Sequence, residues 1–178
     1  WRNSSGNFRE LFNGTFADGN DVTMSGGFDF SGAPVSYMFT YTFSDCSNLT
    51  GSIPTGLFGN LSGAPGSAMF GYTFSGCSSL TGPIPSGLFG NLSGAPAGYM
   101  FRSTFSGCSS LTGPIPPGLF GNISGAPASY MFGSTFNGCS NLTGSIPTGL
   151  FGDLSGATAS SMFAATFANC SNLTGSIP

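Results

Sequence analysis

The chain has 178 residues, and only 5% of them are charged, whereas an ordinary soluble domain has about 25%. Three Arg are the only basic residues and His is absent, so the chain lacks both a basic stripe for nucleic acid and the commonest general base. No apolar run approaches the ~20 residues that a membrane-spanning helix requires. These features exclude nucleic-acid binding and membrane insertion, and they favour a structural or binding scaffold.

Residues 1–37 are the first predicted unit, which we interpret as a degenerate repeat or a cap. Leu11–Phe16 matches the later pattern Met-Phe-x-x-Thr-Phe, and Val22–Met24 stands where Leu-Thr-Gly stands later. Terminal repeats are often atypical because one side of them faces water. The chain begins without Met, which suggests a removed signal or a fragment of a longer protein.

Residues 38–178 are predicted to form regular repeats with a period of 31, in a single domain that is truncated or open at its C-terminus. Met-Phe pairs and Ile-Pro pairs keep this period through the chain. A fixed period between 20 and 50 residues indicates a stack of repeats in which each unit needs its neighbours for stability. The same spacing holds for the five cysteines: Cys46, Cys77, Cys108, Cys139 and Cys170.

Each unit is predicted to begin with a helix of about ten residues. Met131, Phe132, Thr135 and Phe136 would form one apolar face of such a helix, and Pro127 suits its first turn. The helix would end at a residue that tolerates a left-handed conformation. This position is occupied by Asp45, Gly76, Gly107, Gly138 and Asn169.

A strand of three to five residues is predicted next, in the segment Leu-Thr-Gly-x-Ile-Pro. Strands stack about 4.8 Å apart, whereas packed helices need about 8–10 Å. A unit with both elements must therefore curve, with helices on the convex side and parallel strands on the concave side. The sequence thus predicts an α/β solenoid of about six coils.

Two motifs resemble the leucine-rich-repeat superfamily. Asn48–Pro54 is similar to the Leu-Thr-Gly-x-Ile-Pro signature of plant-type extracellular repeats, and Tyr130–Thr143 resembles the bacterial surface-antigen (BspA-like) units. The resemblance covers residues 11–178. It implies a curved solenoid that is secreted or displayed on the cell surface and used for adhesion or recognition.

The cysteines are interpreted as a column of small buried thiols, because one Cys per unit in odd number is not a disulfide framework. The alternative is a metal ladder or a redox role, which neither His nor a Cys-x-x-Cys pair supports.

N-glycosylation sequons recur along the chain. Attached sugars would hydrate a surface that has few charges. Asn13 and Asn169 are weaker candidates, since the first falls in a predicted helix and the second at its cap. The preferred candidates lie at predicted turns: Asn48, Asn60, Asn91, Asn122, Asn141 and Asn172.

Three functions are weighed. The first is a non-catalytic extracellular structural protein, with head-to-tail stacking of copies into a fibre. The second is a ligand-binding or adhesion module for a surface protein or glycan, acting through its concave strand face. Tyr37, Tyr99 and Tyr130 suggest a stacking platform, although packing is the plainer interpretation. The third is an enzyme with a carboxylate pair for glycoside cleavage, which is disfavoured because its residues cluster in the irregular first unit: Glu10, Asp18, Asp21 and Asp29. No cofactor is expected.

Overall fold

Ten short parallel strands build the described part of the chain in the computed structural model. The structure describes Glu10, Phe12, residues 22–23 and 31–32, and the continuous stretch 34–176. The strands are β1 (Val22–Thr23), β2 (Ser31–Gly32), β3 (Leu49–Ser52), β4 (Asn60–Gly63), β5 (Leu80–Thr81), β6 (Asn91–Gly94), β7 (Asn122–Gly125), β8 (Gly144–Ser145), β9 (Asp153–Leu154) and β10 (Leu173–Thr174).

The strands pair between successive repeats in two columns. The Leu-Thr-Gly column runs β1-β3-β5, continues through single bridges, and ends in the pair β8-β10. The predicted strand lies where the sequence placed it, but only β3 reaches the predicted three to five residues. The other strands of this column have two residues, and the third complete coil has only single bridges at Leu111 and Gly113. The Asn-Leu-Ser column runs β2-β4-β6-β7-β9, and the sequence analysis did not predict it. All pairings are parallel, so each 31-residue repeat lies on the next as one coil.

A third set of hydrogen bonds joins the coils where helices were predicted. The N–H groups of Phe39, Tyr41 and Phe43 donate to carbonyl oxygens of the next coil over 2.8, 3.0 and 2.8 Å. The alternate N–H groups, such as that of Thr42, donate to the carbonyl three residues back in their own coil. We call this arrangement the turn ladder; it comprises residues 36–45, 67–76, 98–107, 129–138 and 160–169.

The predicted α/β solenoid with helices on a convex side is wrong, since the described residues contain no helix. The buried positions recur every four residues, as Met38, Thr42 and Cys46 do. A run of four-residue turns satisfies that spacing as well as a helix does. The hydrogen bonds from Phe39, Tyr41 and Phe43 to the next coil hold the coils at strand spacing on this side as well, whereas packed helices would need about 8–10 Å. Because the described residues contain no helix, the predicted curvature and concave strand face lose their physical basis.

Every fourth residue of the turn ladder adopts a left-handed conformation. Tyr37, Tyr41 and Asp45 have φ of 60°, 57° and 58°. The prediction of left-handed residues at the Asp45 position is confirmed in all five coils, although these residues close turns rather than cap helices. Their φ values are 58° for Asp45, 77° for Gly76, 76° for Gly107, 79° for Gly138 and 59° for Asn169.

Columns of equivalent side chains form the core. Phe70 stacks on Phe101, and Phe74 stacks on Phe105, each with ring centroids 5.6 Å apart. Phe89 lies tilted between two coils, 4.5 Å from Phe70 and 4.9 Å from Phe101. The Met, Leu, Ile and Cys columns are likewise buried from Met38 to Phe151, as the period predicted.

The first unit lies mostly outside the described residues. Phe12 stacks on Phe43 at 5.4 Å, so it is the counterpart of Phe43, one full period earlier. The sequence alignment placed Phe12 with Phe39 instead, which is wrong by four residues. Val22 and Thr23 pair with Leu49 and Thr50, which places them in the Leu-Thr-Gly column.

Candidate binding surface

Three positions of the turn ladder differ most between the coils in size and chemistry. The neighbouring Met, Phe, Thr and Cys positions hardly change because they are packed in the core. Differences on a fixed framework create a local surface that only some coils share. These positions hold Tyr37, Ala68, Tyr99, Tyr130 and Ser161; Thr40, Gly71, Arg102, Gly133 and Ala164; and Tyr41, Tyr72, Ser103, Ser134 and Ala165.

A slot opens in this surface at the second complete coil. Ala68 stands there between Tyr37 of the preceding coil and Tyr99 of the following coil, and Gly71 stands beside Arg102. The small side chains leave a groove of about 270 Å³. We call it the Tyr37–Tyr99 slot; it is lined by Tyr37, Thr40, Tyr41, Ser67, Ala68, Gly71, Tyr72, Tyr99 and Arg102.

The tyrosines of the slot are held in place by the turn ladder. Tyr41 and Tyr72 stack with ring centroids 4.6 Å apart, and Tyr99 and Tyr130 stack at 5.2 Å. Tyr37 and Tyr99 keep 49% and 41% of their surface exposed. The equivalent Ala and Ser residues of other coils have the same left-handed conformation. This backbone conformation is therefore a property of the turn ladder and does not indicate a binding site.

Arg102 carries the one positive side-chain charge among the described residues, and it lies against aromatic rings. Its guanidinium carbon is 4.9 Å from the ring centroid of Tyr130, 5.5 Å from that of Tyr99 and 5.6 Å from that of Tyr72. Such cation–π contacts are worth about 0.5–1 kcal/mol each at exposed sites. In the described part of the chain no carboxylate forms an ion pair with Arg102, so its five N–H donors remain available to a ligand.

The cysteines form the buried column that the sequence predicted. The Sγ atoms of Cys77 and Cys139 donate to Phe43 and Phe105 carbonyl oxygens of the preceding coils, over 2.9 and 3.0 Å. All five are free thiols. Burial raises the pKa of the Cys77, Cys108 and Cys139 thiols well above the ordinary value, and neighbouring thiols raise it further. Within the described ranges, no group of three or more His, Cys, Asp or Glu could hold a metal ion.

The glycosylation candidates fall on both strand columns. Asn91, Asn122, Asn141 and Asn172 are exposed, and Asn48 is half-buried. The side chain of Asn60 and the whole of Asn13 lie outside the described residues. The amide of Asn169 donates to Asn137 over 3.1 Å.

Of the carboxylates proposed for an enzyme, Glu10 is the one that the structure describes. Glu10 is exposed, whereas Asp18, Asp21 and Asp29 lie outside the described residues. Among the residues that the structure describes, no helix is long and apolar enough to span a membrane.

The predicted tyrosine platform is partly assembled, since Tyr37 and Tyr99 line the slot and Tyr130 stacks on Tyr99. The sequence analysis missed Tyr41 and Tyr72. It also missed the slot itself, whose only sequence signal is the pair of small residues at positions 68 and 71, where neighbouring coils carry larger ones.

Comparisons of the chain with protein-family models, with curated proteins and with solved structures find no significant match.

Proposed function

We propose that this chain is a non-catalytic extracellular structural repeat protein. The observation that supports it best is the continuity of bonding between coils. Each coil is joined to the next by two strand columns, the turn ladder and stacked Phe rings. Within the described residues, no buried side-chain nitrogen or oxygen lacks a hydrogen-bond partner. Such a stack gives a rigid spacer whose length grows with the number of coils.

We propose that the surface of the stack is N-glycosylated. Asn91 and Asn122 begin successive strands of the Asn-Leu-Ser column. Asn141 precedes Leu142, which forms a single bridge, and Asn172 precedes β10. Their exposure supports modification in a secreted protein. The test is the intact mass of the native protein before and after treatment with a peptide-N-glycosidase. A native mass of 18.0 kDa, unchanged by the enzyme, would reject glycosylation.

The proposed partner along the stack axis is a second copy. In the last turn ladder, the N–H groups of Ser161, Phe163 and Ala165 have no hydrogen-bond partner among the described residues. Their equivalents in earlier coils all donate to the following coil. Phe163 is 38% exposed, whereas Phe132, one coil earlier, is fully buried. These groups have the chemistry of the interface between coils, and we propose that a second copy stacks on them to form a filament that does not close.

Electron microscopy and sedimentation of the 178-residue chain test this assembly. We expect filaments for the natural sequence and short particles for Phe163→Asp, which places a charge in the stacking surface. Thr112→Asp is the matched control because Thr112 is exposed on the side of the stack, and it should still form filaments. Monodisperse monomers of the natural chain would reject self-assembly.

A binding or adhesion role is the second candidate, and the Tyr37–Tyr99 slot is the observation that favours it. Exposed tyrosines beside an arginine without an ion-pair partner are typical of binding surfaces, where Tyr and Arg are enriched. The site proposed for this role is therefore the slot in the turn ladder and not the strand face. Its test is the titration described below.

A further inference from the structure

We propose that the Tyr37–Tyr99 slot binds an acidic sugar, a hexuronate residue within a longer saccharide. This inference deepens the binding role that is our second candidate and rests on it. Three properties of the slot carry the inference: its width, the chemistry of its walls and its single positive charge.

The width of the slot suits one ring. Stacked tyrosines on adjacent coils are 5.2 Å apart, as Tyr99 and Tyr130 show. Tyr37 and Tyr99 are two coils apart, because Ala68 replaces the tyrosine between them. A bound ring needs about 3.5–4.0 Å to the wall on each side. Two such steps separate Tyr37 and Tyr99 by about 10 Å, which exceeds the roughly 7–8 Å that a flat ring needs. One thicker, puckered six-membered ring can lie between them, above Ala68 and Gly71.

The walls favour a saturated ring that carries hydroxyl groups. The faces of aromatic rings are negative, so they attract the C–H groups of a sugar and repel an anion. The hydroxyl groups of Tyr72 and Tyr99 have no hydrogen-bond partner among the described residues. They can donate to or accept from sugar hydroxyls. A small inorganic anion has no C–H groups that could pack on the tyrosine rings.

The charge of the slot selects a carboxylate. Arg102 lines the slot and can form two parallel hydrogen bonds to a carboxylate group. The described acidic residues, Glu10, Asp45 and Asp153, do not line the slot. A single arginine is too little for a nucleic acid, since binding to a phosphate backbone needs several cations. A ring with one carboxylate thus matches the walls and the charge together.

The experiment is a calorimetric titration of the folded chain with trigalacturonate, and with galactotriose as the neutral probe of equal length. We expect trigalacturonate to bind at least about tenfold more tightly, since hydrogen bonds to charged groups are the stronger ones. Arg102→Gln should remove the preference for trigalacturonate over galactotriose. Raising the salt concentration should weaken binding of the acid alone.

Ala68→Tyr tests the slot itself. This change fills the slot with the residue that the same position carries in three other coils, so the fold should tolerate it. It should weaken trigalacturonate binding at least about tenfold. Ser161→Tyr is the matched control, because it adds a tyrosine at the equivalent position away from the slot, and it should bind as the natural chain does. Far-ultraviolet circular dichroism and thermal melting establish that each variant is folded.

The outcomes separate this inference from the broader binding role. If galactotriose binds as tightly as trigalacturonate and Ala68→Tyr weakens both, the slot is a binding site but the acidic class is wrong. If Ala68→Tyr binds trigalacturonate as the natural chain does, the slot is not the site. If neither saccharide binds the natural chain, both the inference and the binding candidate are overturned, while the structural role stands on its own tests.

Discussion

The thiol of Cys108 donates to the carbonyl oxygen of Phe74, one coil earlier in the stack, over 3.0 Å. The same bond joins Cys139 to Phe105 and Cys170 to Phe136. Each Cys thus links two coils without a disulfide. A weak donor suffices here, because the Cys side chain is small and apolar enough to fill the core beside the Phe columns.

Thiol reactivity should follow burial. Burial raises the pKa of the Cys108 thiol, and Cys108 is fully buried, whereas Cys170 is only partly buried. The thiolate is the reactive form, so iodoacetamide at pH 8 should alkylate Cys170 at least about tenfold faster than Cys108. Peptide mass spectrometry over a time course measures both rates. In concentrated guanidinium the two should react alike, and equal rates in the native protein would contradict the burial of Cys108.

Stability should fall at alkaline pH. Burial raises the folded-state pKa of Cys77, Cys108 and Cys139 above the ordinary value of 9.0. The unfolded chain therefore loses these protons first, as the pH rises above about 9, and unfolding becomes more favourable. Below about pH 8 both states keep the protons, so the full stability is present there. The expected loss is about 1.4 kcal/mol per pH unit for each thiol.

Urea denaturation at pH 7, 8, 9 and 10 measures this dependence. Cys108→Ser removes one titrating group and should make the alkaline slope shallower, because a serine hydroxyl does not ionise in this range. A slope that is the same in both proteins would contradict the prediction.

Gly121 should tolerate no side chain. Its φ is +77°, and an added Cβ would lie 2.5 Å from the carbonyl oxygen of Leu92 in the preceding coil. The backbone of one coil would have to shift, which breaks the Asn-Leu-Ser pairing. Gly118 has φ of +66° and open space around an added Cβ, so Gly118→Ala should cost only the left-handed penalty of about 1–2 kcal/mol. We expect Gly121→Ala to cost at least about 2 kcal/mol more, measured by urea denaturation. Equal costs would show that the coils do not approach this closely.

Thr104 should contribute a buried hydrogen bond between coils. Its Oγ1 donates to the Phe70 carbonyl oxygen over 2.9 Å, and Thr104 is fully buried. Thr104→Val keeps the shape and removes the donor, which should cost about 1 kcal/mol. Thr112→Val is the control, since Thr112 is exposed and its change should be close to neutral. Thermal melting of the two variants gives the comparison. A Thr104→Val protein as stable as the control would contradict a contribution from this bond.

The sequence by itself determined the period, the membership of the core and the state of the cysteines. The 31-residue spacing requires that equivalent residues meet in a stack, so Phe70 had to lie on Phe101, and Cys77 on Cys108, whatever the backbone did. The left-handed position at Gly107 was also readable, because the residues at this place in the coils are Gly, Asn and Asp.

Only the tertiary structure decided the backbone path between those positions. Apolar residues four apart, such as Phe39 and Phe43, fit a helix and a ladder of turns equally well. The choice depends on hydrogen bonds to the next coil and on the separation between coils, which local periodicity does not contain. The Tyr37–Tyr99 slot also depends on how the coils stack. Ala68 makes a gap only when parallel pairing places it between tyrosines that lie 31 residues away on either side.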